Sequence, residues 1–112
     1  MGEIITIEDW DKVEMRAGRV VAASEPEWSN KLIRQEVDFG AELEKRVIFS
    51  GMKKWYEAED FVGRTFVYVT NLAPRKMGEA QSEGMIVAIE NDQGVPIRWE
   101  LGEGVAAGTR VG

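Results

Sequence analysis

Residues 71–85, with the sequence NLAPRKMGEAQSEGM, connect two strand-like runs at residues 65–70 and 85–90. This connection contains a turn proline, an Arg-Lys pair, a glycine, a Ser-Glu pair and a methionine. A loop so rich in polar and basic groups, held between two apolar strands, is a common location for binding residues. On chemistry alone, an ordinary solvated hairpin loop is a slightly better explanation than a binding site. The rest of the sequence is needed to distinguish the two.

Three further strand-like runs precede this pair, at residues 13–24, 31–39 and 45–50. In the first run, apolar and polar side chains alternate until Gly18, after which residues 20–23 are apolar on both sides. A glycine within a strand predicts a bulge or a sharp bend. The sequence therefore favours the curvature of a closed barrel over a flat sheet.

Two helices are predicted from capping and spacing. Thr6, with Asp9 three residues later, matches a capping box and predicts a short helix that ends near Lys12. Between residues 52 and 62 the apolar side chains recur at three- and four-residue intervals, which predicts a second helix that ends at Gly63. Four aromatic side chains on core-compatible spacings are assigned to structure: Trp55, Phe61, Phe66 and Tyr68.

The element order is three strands, one short helix, two strands and a C-terminal extension. This is the order of the OB-fold, a partly open Greek-key barrel whose loops and one face bind oligonucleotides or oligosaccharides. The sequence thus predicts an all-β fold with a minor helix, in one domain of residues 1–112. Its five-stranded barrel spans about residues 13–90, with a short N-terminal helix before it and an extension at about residues 91–112 after it. A β-sandwich is the alternative, but it would normally contain more strands.

The chain has 112 residues and contains neither cysteine nor histidine. The commonest general base, the most reactive nucleophile and the usual zinc ligands are therefore missing, which argues against most hydrolase and transferase mechanisms. Three neighbouring carboxylates, Glu57, Glu59 and Asp60, are better explained as a solvated helix face than as a metal site. We expect no catalysis, no cofactor and no metal. No secretory signal or membrane-spanning stretch is recognisable, and the lack of cysteine suits the cytoplasm.

The net charge is −6, from 14 Lys and Arg against 20 Asp and Glu. An acidic total argues against a protein that coats nucleic acid indiscriminately. The distribution is uneven, because residues 45–54 contain four basic residues and no acid, whereas residues 90–103 contain four acids and one arginine. The sequence therefore allows one basic face on an acidic molecule.

Several segments in combination resemble the tRNA-binding domain family, which occurs as a stand-alone bacterial protein, as a C-terminal appendage of methionyl-tRNA synthetases and in the endothelial monocyte-activating polypeptide. The matching segments cover about residues 10–111 and include VEMRAGRVVAA, NKLIRQEVDFG, VIFSG, FVG, NLAPRKM and SEGM. The resemblance implies an OB-fold domain that recognises the shape of tRNA, commonly as a homodimer that uses the segments after the barrel. CsaA-type export chaperones, dimers thought to bind unfolded or presecretory polypeptides, share this architecture.

The chain combines features of both branches of this family. After Met77, the tRNA-binding pattern usually has one more residue, often basic, before its glycine, whereas this chain has Gly78 followed by Glu79. A glycine directly after the methionine resembles the chaperone branch. The segment SEGM at residues 82–85 is closer to the tRNA-binding branch.

The resemblance implies that polar residues of the 71–85 loop contact tRNA. Arg75 and Lys76 are suited to phosphates, in a contact that weakens with salt because counterions are released. Asn71 and Ser82 offer neutral donors and acceptors for ribose hydroxyls or base edges. Glu83 is suited either to accept hydrogen bonds from a base or to pair with Arg75 and fix the loop.

Other candidates lie beside these polar groups. Met77 and Met85 offer polarizable surfaces to a base or a hydrophobic peptide, although Met85 also suits the core. Lys31 matches a basic position of the family, and Lys53 extends the basic track. Trp28 is a large aromatic residue in a polar loop, where the family more often has a small residue or proline. Two explanations remain open for it: a base stacks on it, or it covers the barrel end or contacts a partner subunit.

The apolar side chains of the C-terminal extension favour a dimer interface. Its alternating apolar side chains exceed what a small five-stranded core can bury. We expect an isologous homodimer interface formed by Val95, Ile97, Trp99 and Leu101.

The sequence therefore predicts a non-catalytic OB-fold homodimer that binds tRNA by its shape. The first alternative is a CsaA-type chaperone that binds unfolded or presecretory polypeptides with the same surface. The second is a partner that docks onto an aminoacyl-tRNA synthetase. Salt dependence separates RNA bound through phosphates from an apolar peptide.

Overall fold

The structure, a computed structural model, describes residues 2–112 and consists mainly of short β-strands. Its two α-helices are α1 (Ile7–Asp11) and α2 (Gly40–Leu43), and a 3₁₀ helix spans Ala58–Asp60. The strands are β1 (Met15–Ser24), β2 (Ile33–Asp38), β3 (Lys45–Ser50), β4 (Thr65–Val69), β5 (Arg75–Met77), β6 (Ala80–Ser82), β7 (Met85–Ile86), β8 (Ala88–Glu90), β9 (Pro96–Arg98) and β10 (Glu100–Leu101).

The main sheet has the strand order β10-β4-β1-β2-β3, and each neighbouring pair is antiparallel. Strand β7 pairs with β4 on the same edge as β10. Two small hairpins, β5-β6 and β8-β9, complete the strand pairing. This arrangement leaves an edge of β3 at one end of the sheet and β7 near the other.

Residues 82 and 83 join these two ends. The backbone N–H of Glu83 donates to Val47 O at 2.9 Å, and the N–H of Val47 donates to the Glu83 carboxylate at 2.8 Å. The N–H of Phe49 donates to the hydroxyl of Ser82 at 3.0 Å. These bonds cover the outer edge of β3 and link it to the segment that precedes β7, which pairs with β4 at the other end of the sheet.

The strand residues of the core come from β1, β2, β3, β4 and β7. The core also contains a buried network of hydrogen-bonded polar side chains. Phe61, Phe66 and Tyr68 are fully buried, as predicted. The phenol of Tyr68 donates to Gln35 at 2.7 Å, and the amide of Gln35 donates to Ser50 at 2.8 Å. Burial raises the pKa of Tyr68, so its hydroxyl remains a neutral donor. The polar groups of Tyr68, Gln35 and Ser50 are all hydrogen-bonded, which removes the free-energy penalty for burying them.

The N-terminal helix and β3 agree with their predictions. Thr6 caps α1, and its hydroxyl accepts a hydrogen bond from the N–H of Asp9 at 3.2 Å. The helix ends at Lys12, its C-cap. None of its residues is buried, so Trp10 and its apolar neighbours stay exposed.

The bulge predicted at Gly18 lies elsewhere. Gly18 pairs regularly with β4, and the register of β1 against β2 shifts between Val20 and Ala22. The glycine is needed for packing instead, because a Cβ at this position would lie within 2.5–2.8 Å of Val37, Phe39 and Tyr68. The core therefore closes directly over the backbone at Gly18.

The predicted helix at residues 52–62 is wrong. This segment forms turns, and only Ala58–Asp60 is helical, as one 3₁₀ turn bounded by reciprocal hydrogen bonds between Glu57 and Asp60. Trp55, which the sequence pattern predicts to be structural, is 39% exposed. Met52 and Phe61 are buried in the core, with Tyr56 packed against it, whereas Trp55 lies on the surface.

The C-terminal extension is paired within the chain through most of its backbone. The predicted strand at residues 95–101 is divided between β9, which pairs with β8, and β10, which pairs with β4. Residues 108–111 then run along β1, with the N–H of Ala17 donating to Thr109 O and the N–H of Gly108 donating to Ala17 O, both at 2.8 Å. The extension thus supplies partners for edges of the sheet.

Replacing Gly18 tests the packing over β1. Gly18→Ala is expected to destabilise the protein by about 1–3 kcal/mol, because three core side chains must move to admit one methyl group. Gly51→Ala is the matched control, since a Cβ there meets nothing within 4 Å. Urea denaturation measures both variants, and equal stability of the two would contradict this account of Gly18.

Candidate nucleic-acid interface

The loop at residues 71–85 contains a hairpin that the sequence did not predict. Strand β5 pairs with β6, with Arg75 opposite Ser82 and Met77 opposite Ala80. Gly78 and Glu79 form the turn, and Gly78 has φ 61°, a left-handed conformation that glycine adopts without strain. The basic pair Arg75-Lys76 therefore lies on an ordered strand.

Three cations meet at one groove beside this hairpin. The groove, of about 410 Å³, is hereafter the basic groove and is lined by Trp28, Ser29, Lys31, Leu32, Arg75, Lys76, Met77 and Gly78. Lys31, Arg75 and Lys76 are exposed, and none of them forms an ion pair with a described residue. Their charges are therefore free to bind an anion.

Lys53 lies next to this groove, but its charge is partly used. Its ammonium is 3.7 Å from the carboxylate of Glu25 and 3.5 Å from the carbonyl of Ser29. Its backbone N–H donates to Lys31 O at 3.1 Å, so the two lysines are held together. Lys53 therefore lies beside the basic groove without lining it, and the carboxylate of Glu25 competes for its charge.

The other basic residues of the 45–54 span do not join this group. Lys45 begins β3 opposite Asp38 at one end of β2, whereas Lys53 follows the other end of β3. The expected basic face is therefore not continuous along β3. The cations of the basic groove come from two other segments, Lys31 from the start of the β2 region and Arg75 with Lys76 from β5.

Trp28 packs on the turn glycine of the hairpin. Its ring occupies the space beside Gly78, where an added Cβ would lie 2.3 Å from the ring atom Cζ3. The same ring packs against Phe49 with centroids 5.8 Å apart. Trp28 and Gly78 are the two departures from the family pattern, and they contact each other. Trp28 therefore covers the turn of the hairpin and part of Phe49, and about 39% of the residue remains exposed.

Two loop side chains that the sequence suggests for RNA contacts make hydrogen bonds within the protein. Asn71 accepts a hydrogen bond from the N–H of Glu14 at 2.8 Å and donates to Lys12 O at 2.6 Å. Ser82 is buried, and its hydroxyl bonds with Phe49 and with the carbonyl of Gly84. These side chains attach the loop to the barrel.

Glu83 has the same structural role. Its carboxylate accepts from the N–H of Val47, and the structure has no ion pair between Glu83 and Arg75 among the described residues. Arg46, which sequence analysis did not select, donates to the carbonyl of Thr70 and lies 3.4 Å from that of Glu83. It therefore ties the two ends of the loop together. Its place in the basic 45–54 span was the only signal for it.

A second groove lies against the same hairpin. We call it the apolar groove; it measures about 340 Å³ and its lining includes Met52, Trp55, Met77, Met85 and Ile86, with Arg75 and Glu90. Met85 is 43% exposed although it begins β7, so it belongs to the surface more than to the core. Arg75 and Met77 line both grooves.

A family model described as "Putative tRNA binding domain" matches residues 15–110 of the chain. The chain belongs to this family. The resemblance stated from the sequence is therefore confirmed.

The chain is also similar to individual members of the tRNA-binding domain family and to solved structures. A methionine–tRNA ligase of Nitrosomonas eutropha is 38% identical over 111 residues, which are 99% of this chain and 16% of the ligase. The chain thus spans a small part of that relative. The crystal structure of a MetRS related protein from Pyrococcus horikoshii has a TM-score of 0.92 at 32% identity, covering 99% of this chain and 100% of the other.

A chaperone also shares the architecture. The crystal structure of CsaA from Bacillus anthracis has a TM-score of 0.86 at 25% identity, covering 98% of this chain and 100% of that one. Together with the strand order, these likenesses confirm the predicted fold class, a mainly β tRNA-binding domain of the OB type with minor helices.

The extension of this tRNA-binding domain leaves apolar side chains at the surface. Ile97 and Trp99 are 43% and 45% exposed, whereas Val95 and Leu101 are partly buried. Ile97 lies opposite Ile89 in the β8-β9 hairpin, and Ile89 is exposed as well. Ile89, Ile97 and Trp99 are therefore exposed apolar side chains on or directly after the hairpin.

The acidic segment Glu57–Asp60 is not arranged as a metal site. Among residues 2–112, no group of three or more carboxylates is placed to hold a metal ion. A hydrogen bond with Glu59 raises the pKa of Glu57, with the nearby charge of Glu59 adding to the effect. None of the helices in the described part of the chain is long and apolar enough to cross a membrane.

A double-mutant cycle tests the contact between Trp28 and Gly78. Gly78→Ala is expected to cost about 1–2 kcal/mol of stability from its positive φ, and about 1–3 kcal/mol more because the methyl group displaces the ring. In a Trp28→Ala background only the backbone cost remains. Urea denaturation of the four proteins measures the coupling.

Gly63→Ala is the control for this cycle. Gly63 also has a positive φ, of 80°, but a Cβ there would meet nothing within 4 Å. It should therefore show the backbone cost alone, in either background. An equal cost for Gly78→Ala with and without Trp28 would contradict the packing contact.

Proposed function

We propose that this chain is a non-catalytic tRNA-binding protein that contacts the RNA backbone through the basic groove. The observation that carries this proposal is the convergence of Lys31, Arg75 and Lys76, without carboxylate partners among the described residues, in a protein of net charge −6. Membership of the tRNA-binding domain family supports it independently. Because tRNA is found in the cytoplasm, a tRNA-binding protein is expected there as well.

The chemistry of the groove suits phosphates more than base edges. Arg75 offers a planar fork of donors, whereas Lys31 and Lys76 act as point charges. Met77 and Trp28 add apolar surface beside these cations. The acidic remainder of the molecule repels RNA elsewhere, which favours one orientation of binding. Such a site responds to the spacing of phosphates, and therefore to the shape of the RNA.

The loop residues have different roles in this proposal. Arg75, Lys76 and Lys31 bind phosphate, with Lys53 as a secondary contact. Asn71, Ser82 and Glu83 hold the loop through hydrogen bonds to the barrel. Ser82 is buried, so only Asn71 and Glu83 have exposed surface that can contact the RNA.

We also propose that the protein is a homodimer through the exposed side of the β8-β9 hairpin. Ile97 and Trp99 form the centre of this interface, with Val95 and Leu101 beside them. An isologous contact would bring two basic grooves onto one RNA and raise its affinity through the effective concentration of the second site. The exposed apolar surface at the hairpin supports this proposal.

Polypeptide binding is the second candidate, supported by a specific observation. The apolar groove exposes Trp55 and Met85, and methionine-rich surfaces adapt to varied apolar partners. The likeness to the CsaA structure and the glycine after Met77 point in the same direction. A third candidate, docking onto an aminoacyl-tRNA synthetase, is suggested by the similarity to part of a methionine–tRNA ligase.

Titration with bulk tRNA at several salt concentrations tests the main proposal. The wild-type protein should bind with an affinity that falls steeply with salt. Arg75→Ala combined with Lys76→Ala should weaken binding and reduce the slope of log K against log salt by about 1–2, because two phosphate contacts are lost. Fluorescence anisotropy measures the binding.

The matched control is the double variant Arg19→Ala with Lys45→Ala. Both residues are exposed, lie at the opposite end of β2 from Lys31, and form no ion pair with a described residue. It removes the same charge, so long-range repulsion changes equally while the groove stays intact. No binding of tRNA at low salt would reject the proposal and make an unfolded polypeptide the next ligand to examine.

The dimer is tested by mass in solution. Analytical ultracentrifugation at micromolar concentration should give twice the mass of 12.6 kDa. Ile97→Lys should produce a monomer, because the charge would be buried in the interface without a partner. Val62→Lys, at a similarly exposed apolar site with 46% exposure, should leave the dimer intact. A wild-type monomer would remove the proposal.

A further inference from the structure

The apolar groove has no role in the phosphate contacts described above. It shares Arg75 and Met77 with the basic groove, and large apolar side chains line the rest of it without closing it. Trp55 is 39% exposed and Met85 is 43% exposed. Exposed aromatic and methionine surfaces collected in one concavity are typical of a binding site.

Trp55 belongs to a hydrogen-bonded turn beside this groove. Its backbone N–H donates to Met52 O at 3.0 Å, which closes a turn directly after β3. The ammonium of Lys54 lies 5.4 Å from the centre of the Trp55 ring. The indole is therefore presented from an ordered turn, with a cation beside it.

The two grooves adjoin each other at β5. Arg75 and Met77 alternate with Lys76 along β5 and line both concavities. A phosphate bound at Arg75 would therefore have the apolar groove directly beside it. The groove volume of about 340 Å³ is ample for a planar base.

We propose that the apolar groove binds one unpaired base of the RNA whose phosphates occupy the basic groove. The base stacks on Trp55, against the polarizable side chains of Met77 and Met85, while Arg75 holds its phosphate. This inference rests on the proposed function. The cations Arg75 and Lys54 at the groove border favour RNA over an apolar peptide, and Glu90 offers an acceptor to the amino or imino groups of a base.

The test compares Trp55→Ala, Trp55→Phe and wild type in anisotropy titrations with bulk tRNA at several salt concentrations. Trp55→Ala should weaken binding about 5- to 150-fold at every salt concentration, as expected for the loss of one stacked base. The slope of log K against log salt should not change, because no phosphate contact is lost. Trp55→Phe, which keeps an aromatic face, should retain most of the affinity.

Two controls separate stacking from general effects. Trp10→Ala removes a tryptophan of nearly the same exposure, 40%, on α1 outside both grooves, and should bind as wild type does. Circular dichroism and the thermal midpoint check that each variant is folded. A blunt-ended RNA duplex, which has no unpaired base, should bind wild type and Trp55→Ala equally.

Each remaining outcome overturns the inference in a recognisable way. Equal binding of tRNA by wild type and Trp55→Ala, or an equal loss for the duplex, would exclude base stacking while the proposed function stands. Loss of binding to an unfolded polypeptide in Trp55→Ala, with tRNA binding unchanged, would assign the groove to a peptide. Failure of the wild-type protein to bind tRNA would instead reject the proposed function, and this inference with it.

Discussion

The free edge of β3 is the constraint on which the rest of the structure depends. A strand edge with unpaired N–H and carbonyl groups must be covered, and here the cover comes from Ser82 and Glu83. The 71–85 loop is therefore part of the barrel wall. Ser82 and Glu83 bond to the edge of β3, and the β5-β6 hairpin that they anchor carries the exposed cations Arg75 and Lys76.

This arrangement separates residues that build the interface from residues that contact a ligand. Arg46 of β3 bonds to the start of the loop at Thr70, and Asn71 bonds to the segment before β1. The base of the hairpin is therefore attached to the barrel. Trp28 then fixes its tip by packing on Gly78. A hairpin held at both ends presents Arg75 with little loss of freedom on binding, which preserves affinity that a mobile loop would lose.

The sequence predicted the features that depend on local pattern. The capped helix at Thr6 and strand β3 agree with the structure, and Arg75, Lys76 and Lys31 do share one groove. What it missed depends on contacts between distant segments. Trp28 and Gly78 lie in separate loops and pack on each other. In the sequence, each residue is an unusual one for the family, and nothing there shows that the two are in contact. The helical spacing after β3 was misleading because a few apolar residues at the right intervals do not show which of them, such as Trp55, face solvent.

The occupied polar groups limit what kind of RNA recognition this surface can perform. Asn71, Ser82 and Glu83 are the loop residues best suited to read base edges, and their hydrogen bonds are already made within the protein. Cations and apolar faces remain, and neither distinguishes one base sequence from another well. Under the proposed function, selectivity must then come from where phosphates and unpaired bases lie in space. A folded RNA such as tRNA offers that information, whereas a uniform duplex does not.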